Sequence, residues 1–154
     1  MVRFVVRAEP ATASHVKDIV PHLRMSDRME VAASSSLPVG HALAMSVARG
    51  KAHAGYINDE LVALYGVATL NRIEKVGCPW MVGTDTLEMH PITVLRHNRK
   101  VLGDWRGRFD RLINYVDARN TVSKRWLKWL DFRLHPAAAY GPQRLDFHKF
   151  EWRR

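Results

Sequence analysis

Cysteine occurs once among the 154 residues, at Cys78, so no disulfide can close within the chain and no cysteine-rich zinc centre can be built. No stretch approaches the roughly 20 apolar residues that cross a bilayer, which excludes a membrane-inserted helix. The eight histidines contain no HExxH pair and no tight ligand spacing, so no metal site is expected. G-x-G-x-x-G, a Walker loop and a G-x-S-x-G elbow are all missing, which removes the cradle for dinucleotides and triphosphates and the serine nucleophile. Acidic residues are scarce beside basic ones, 15 Asp plus Glu against 24 Lys plus Arg, for a formal net charge of +9. That imbalance suits an anionic partner: a nucleic acid, an anionic cofactor or an acidic protein surface. The opening segment Met1 to Pro10 alternates apolar and basic residues without an apolar core or a small-residue cleavage site, so it is no secretory signal and the protein is expected in the cytoplasm.

What is present suffices for a packed core. Hydrophobic residues make up 47% and charged residues 25%, as expected for one globular domain over 1–154. Val2, Phe4 and Val6 alternate as a first strand that Pro10 stops. Thr12 or Ser14 then caps a helix carrying Val16, Ile19, Val20, Leu23 and Met25, with a break at Pro21. Residues 34–38 read as a loop, and Ala42 to Val47 as a second helix ending near Gly50. Two strands, 52–57 and 61–70, meet at the turn pair Asn58-Asp59, and a further strand runs from Trp80 to Leu87.

A long helix is predicted over 92–109, with Val94, Leu95, Val101, Leu102, Trp105 and Phe109 on one face. A strand at 112–118 and a helix capped by Asn120 or Thr121 follow, the latter running through Phe132 with Trp126, Leu127, Trp129 and Leu130 inward. Strands at 137–140 and 145–152 close the chain around Gly141-Pro142. Runs of strands with two helical crossovers predict an α/β chain of the α+β kind: a mixed, mostly antiparallel central sheet with about four helices.

The segments Val5 to Thr12, Tyr115-Val116-Asp117-Ala118-Arg119-Asn120 with Ser123, and Arg125 to Phe132 resemble the first strand and the late strand, asparagine and helix of the GNAT acyltransferases. Most relatives place a glycine before that phenylalanine, where this chain has Asp131. Within that superfamily, Gly77 to Asp85, the Leu95-Arg96 helix start, Asn114 to Asn120, Arg125 to Leu130 and Phe147-His148-Lys149-Phe150 resemble GNAT-like proteins of podoviruses and prophages related to an internal virion protein. The resemblance implies acetyl-CoA as cofactor, its phosphates at the N-terminus of the long helix. It implies phage virion or assembly proteins as partners, in the host cytoplasm or the particle.

The phosphate loop departs from the family. Relatives carry Arg/Gln-x-x-Gly-x-Gly/Ala there, whereas Leu87-Glu88-Met89-His90-Pro91-Ile92-Thr93-Val94 has no glycine. Pro91 removes an amide donor, and Glu88 repels phosphate. Thr84, Thr93, Arg96 and Asn120 are the residues that would hold the cofactor by this resemblance. Asp85 or Glu88 is a candidate general base and Tyr140 a candidate acid. Each has a plainer reading: a carboxylate ahead of a helix is a cap, Asn120 likewise, and a tyrosine at a strand end packs.

Three functions follow. The first is a GNAT-fold phage protein with weakened or lost acetyl transfer. The second is an active acetyl-CoA-dependent N-acetyltransferase acting on an amine of a small molecule or protein. The third is nonspecific DNA contact through Arg96, Arg99, Arg106 and Arg108, beside the aromatic-basic runs at 105–108, 125–129 and 152–154.

Overall fold

In a computed structural model, which describes residues 4–154, the first strand is β1 (Val6–Pro10). Val2 of the expected strand lies outside the described residues. The Thr12 amide donates to His15 Nδ1 at 2.9 Å and opens α1 (Ala13–Ile19), which passes into a single 3-10 turn at Val20–His22 around Pro21. Two helices follow, α2 (Met25–Ser34) and α3 (Val39–Arg49), then the strands β2 (Lys51–Ile57), β3 (Glu60–Asn71) and β4 (Val76–Gly83). Asn58 and Asp59 join β2 to β3 with φ of 49° and 64°, the left-handed pair that a two-residue hairpin demands. After β4 come a short α4 (Thr86–Met89) and the long α5 (Pro91–Arg108), with Pro91 at its first position, where the missing amide is harmless. Strand β5 (Arg111–Asp117), α6 (Thr121–Trp129), β6 (Arg133–Leu134), β7 (Ala138–Tyr140) and β8 (Leu145–Arg153) complete the chain.

The sheet runs β1-β2-β3-β4-β5-β8-β6, with β7 also on β8. Every pairing is antiparallel except β4 with β5. The mixed, mostly antiparallel sheet is therefore as expected. Both faces are covered, so β3 is buried continuously from Val62 to Val67 rather than alternating. Tyr65 and Val67 turn toward α5 and α6, packing with Leu102, Trp105, Trp126 and Phe150. Leu64 and Val82 turn the other way, onto Val16 and Ile19 of α1 and Leu43 of α3.

Three expectations need correction. Among the described residues there are six helices rather than about four. Pro21 ends the first helix as read, but the chain re-enters a helix at Met25; α2 escaped the periodicity because its most buried residue is the carboxylate Asp27, not an apolar stripe. Second, β4 runs from Val76 and stops at Gly83, Thr84 bridges to Leu23, Asp85 is the N-cap of α4, and Thr86 and Leu87 belong to that helix. Third, Trp129 points outward at 45% exposure, since α6 buries Trp126 and then ends. Among the described residues no single helix is long and apolar enough to cross a membrane, and no group of His, Cys, Asp and Glu gathers to hold a metal.

Candidate active site

The two parallel strands stay together for only two residue pairs, Val76 with Arg111 and Gly77 with Leu112, and then diverge. Pro79 explains the separation point: without an N–H it cannot donate to a ladder on the side where β5 would continue. Asn114 closes the apex instead. Its Nδ2 donates to the Pro79 carbonyl at 2.8 Å and its Oδ1 accepts the Tyr115 amide at 2.8 Å. Diverging strands should leave two rows of unpaired backbone groups facing a wedge.

The chain itself caps most of these groups. At the open end of β4, the Gly83 carbonyl accepts the Arg24 amide at 2.9 Å, and the Gly83 amide donates to Asp27 Oδ2 at 2.7 Å. At the open end of β5, the Asp117 amide donates to Glu30 Oε1 at 2.7 Å. Helix α2 thus lies as a bar from one strand end to the other. By the two-residue alternation of a strand, Met81 is the β4 residue between Pro79 and Gly83 whose amide and carbonyl also face the wedge. A cavity of about 460 Å3 opens there, lined from both sides of the sheet: Trp80, Tyr115 and Tyr140 with Glu30 on the α2 side, Leu102 and Trp126 on the other.

The bar is held by ion pairs out of water. Arg24 is 2% exposed and Asp27 1%. Arg24 forks onto Asp27 with Nε to Oδ2 at 2.9 Å and Nη2 to Oδ1 at 2.7 Å. Its Nη1 reaches Glu88 Oε1 at 3.2 Å, its Nη2 the Ser123 hydroxyl at 3.3 Å, and its guanidinium lies 5.5 Å from the Trp126 ring centroid. Burial alone would lower its pKa, but the Asp27 and Glu88 carboxylates more than offset this and raise it. Among the described residues no cation pairs with Glu30. Burial pushes its carboxyl up to about 7, against the lowering effect of the Asp117 amide, with the neighbouring Asp27 charge adding to the rise.

The residues singled out in the sequence fall into three places. Tyr140 lines the cavity, its ring stacked on Tyr115 at 4.1 Å between centroids, and burial raises its phenol pKa. Glu88, Asn120 and Thr84 surround the bar. Glu88 pairs with Arg24; Asn120 caps α6 by accepting the Ser123 amide at 3.3 Å and directs Nδ2 toward Asp27 and Glu30 at 3.5 Å each; Thr84 is buried, its hydroxyl without a partner among the described residues. Asp85 is exposed at the start of α4, Arg96 is exposed on α5, and Thr93 faces a minor pocket beside His97. These three stand outside the wedge. Sequence reasoning missed Arg24, Asp27, Glu30 and Asn114. The one available signal was charge at i, i+3 and i+6, Arg24, Asp27 and Glu30, in a segment that up to Ala33 holds one other charge, Arg28.

No protein-family model matches the sequence, and no curated protein matches it. Solved structures do match its fold. An N-acetyltransferase from Staphylococcus aureus Mu50 is 11% identical, covering 97% of this chain and 98% of that one with a TM-score of 0.71. The ribosomal L7/L12 alpha-N-protein acetyltransferase RimL, solved in complex with coenzyme A, is 12% identical over 96% of this chain and 93% of its own, with a TM-score of 0.69. An acetyltransferase of the GNAT family from Streptococcus pneumoniae is 11% identical over 97% and 99%, with a TM-score of 0.65. At such identities the likeness carries the fold, and function must be argued from the site.

Proposed function

We propose that this chain, which has the GNAT acyltransferase fold, has weakened or lost acetyl transfer from coenzyme A. One observation carries the reading: the loop ahead of the long helix spends most of its own backbone donors inside the chain. In the loop after β4, the amides of Leu87, Glu88 and His90 donate to Thr84, Asp85 and Leu87 at 3.1, 3.1 and 3.2 Å, closing α4 on itself. Pro91 has no amide, so the loop offers a pyrophosphate little of the donor nest that helix N-termini usually supply. The Glu88 carboxylate stands beside it, and the strand-end amides of Gly83 and Asp117 are held by Asp27 and Glu30. The cavity lies in the wedge between β4 and β5, but the loop expected to hold the phosphates leaves few free amides for them.

Calorimetric titration of acetyl-CoA at two salt concentrations, paired with a thiol-release assay over a panel of amines, tests this. The expected result is no heat that survives moderate salt and no free thiol. Micromolar, salt-resistant binding with stoichiometric release of coenzyme A overturns it. A second reading, acetyl-CoA-dependent N-acetylation, is favoured by Glu30: a carboxyl at about 7 lining a cavity is suited to take a proton from an amine. The resemblance to podovirus and prophage proteins extends the first reading to a role in the virion or its assembly, which mass spectrometry of purified particles tests.

A further inference from the structure

We propose that the exposed face shared by α5 and α6 binds single-stranded nucleic acid, a role independent of the cleft. Arg96, Arg99 and Lys100 of α5 and Arg125 and Lys128 of α6 are all exposed, and no ion pair among the described residues engages them. Five unpaired cations on two helices, against the exposed Asp104 four residues after Lys100, are a net positive footprint for a polyanion. What separates this face from an ordinary solvated one is its aromatic centre. Trp129 is 45% exposed, and the Arg99 guanidinium lies 4.0 Å from its ring centroid, tying the middle of α5 to the end of α6. An exposed indole backed by a guanidinium is a stacking platform that accepts any base, provided the base is free of a duplex.

The second observation is the relief of α5. Gly103 sits inside an 18-residue helix, where glycine weakens helical structure, and Gly107 one residue before its end, yet a Cβ added at either would meet nothing within 4 Å. No packing demand explains them. Positions 96, 100, 103 and 107 recur at i, i+4, i+7 and i+11, so both glycines lie on the stripe that carries Arg96 and Lys100. The result is bare helix backbone alongside cations, where a sugar-phosphate chain can approach closely. An acidic protein would use the charge but neither the open indole nor the bare stripe. The structure also revises which cations contribute. Arg106 is turned inward to the Leu130 carbonyl, with its guanidinium 5.5 Å from the Phe132 ring and 5.1 Å from that of Trp152, so it does not belong to this face.

The test is fluorescence anisotropy of a labelled oligothymidylate titrated with the intact protein across a salt series, with melting temperature recorded for each variant. Trp129→Ala is expected to weaken binding roughly tenfold. Lys128→Glu and Arg125→Glu should each weaken it and lower the salt slope by about 0.7 or more. If Trp129→Ala lowers the melting temperature, the two charge reversals and quenching of tryptophan fluorescence by the oligonucleotide carry the same reading. Lys17→Glu on α1 makes the same charge change elsewhere and should leave binding nearly unchanged. The proposal is overturned by absence of binding at low salt, by Lys17→Glu weakening binding as much as Lys128→Glu, by polyglutamate competing as well as the oligonucleotide, or by tighter binding of duplex than of single strand.

Discussion

Replacing Glu30 by glutamine isolates the electrostatics of the bar across the cleft. The carboxyl accepts the Asp117 amide at 2.7 Å and is displaced by burial from an ordinary 4.5 to about 7. A raised carboxyl pKa means that the folded state favours the protonated form. The stability associated with Glu30 is therefore complete below about 4.5, is lost as pH rises, and is fully lost above about 7. At about 1.4 kcal/mol per pKa unit, the loss between these limits is about 3 kcal/mol. Glutamine keeps the shape and an acceptor oxygen for Asp117 but cannot ionise. Relative to wild type, Glu30→Gln should thus gain about 3 kcal/mol between acid and mildly alkaline conditions. In a chain of this length that corresponds to a melting-temperature gap of roughly 6–12 °C. Urea unfolding of both proteins, followed by tryptophan fluorescence at each pH, reads the difference directly, because titrations of groups remote from Glu30 are common to both and cancel. Parallel stability profiles would refute the buried, uncompensated state of Glu30, and with it the second reading's candidate base.

Local chemistry made much of the fold legible. The hairpin turn at Asn58-Asp59, the amphipathic α5 and the Asn120 cap of α6 are each specified within a few residues, so periodicity and capping preferences found them. The missing glycines of the phosphate loop were equally visible, though not that α4 would spend its amides. The site residues of α2 were not legible, for a physical reason. Asp27 and Arg24 are buried, and Glu30 half-buried, by partners far away in the chain: Gly83 lies 56 residues from Asp27, Asp117 87 residues from Glu30, and Ser123 99 residues from Arg24. A helix whose inward face is polar defeats the hydrophobic pattern that identifies helices, and only the assembled sheet supplies the amides that make it sensible. Trp129 failed for the opposite reason: its size argues for burial, but α6 ends before the core can enclose it.

Three further substitutions test the packing around this framework. Burial acts to raise the Glu151 pKa, but bonds from Arg111, Arg153 and His135 overcome it and hold the carboxyl at about 2, so its stabilisation is present above about 4.5 and lost as pH falls toward 2. Discounted for the exposed Arg153, Glu151→Gln should cost about 1–2 kcal/mol at neutral pH and flatten the acid limb of the unfolding profile; an unchanged acid limb refutes the assignment. The last test sets one chemical change against itself at two glycines. Gly141 has φ of 77°, and a Cβ there would fall 2.2 Å from the Ala33 carbonyl oxygen, so the β7–β8 turn is pressed against the end of α2. Gly141→Ala adds left-handed strain to that collision and should cost about 2 kcal/mol or more. Because the displaced element carries Glu30, water should reach that carboxyl and shrink the pH dependence developed above. Gly103→Ala meets open space in a helix interior and should instead stabilise by about 0.5–1 kcal/mol. Opposite signs in chemical denaturation are required: a neutral Gly141→Ala would mean that the turn does not brace α2, and a destabilising Gly103→Ala would mean that the α5 stripe is packed rather than bare.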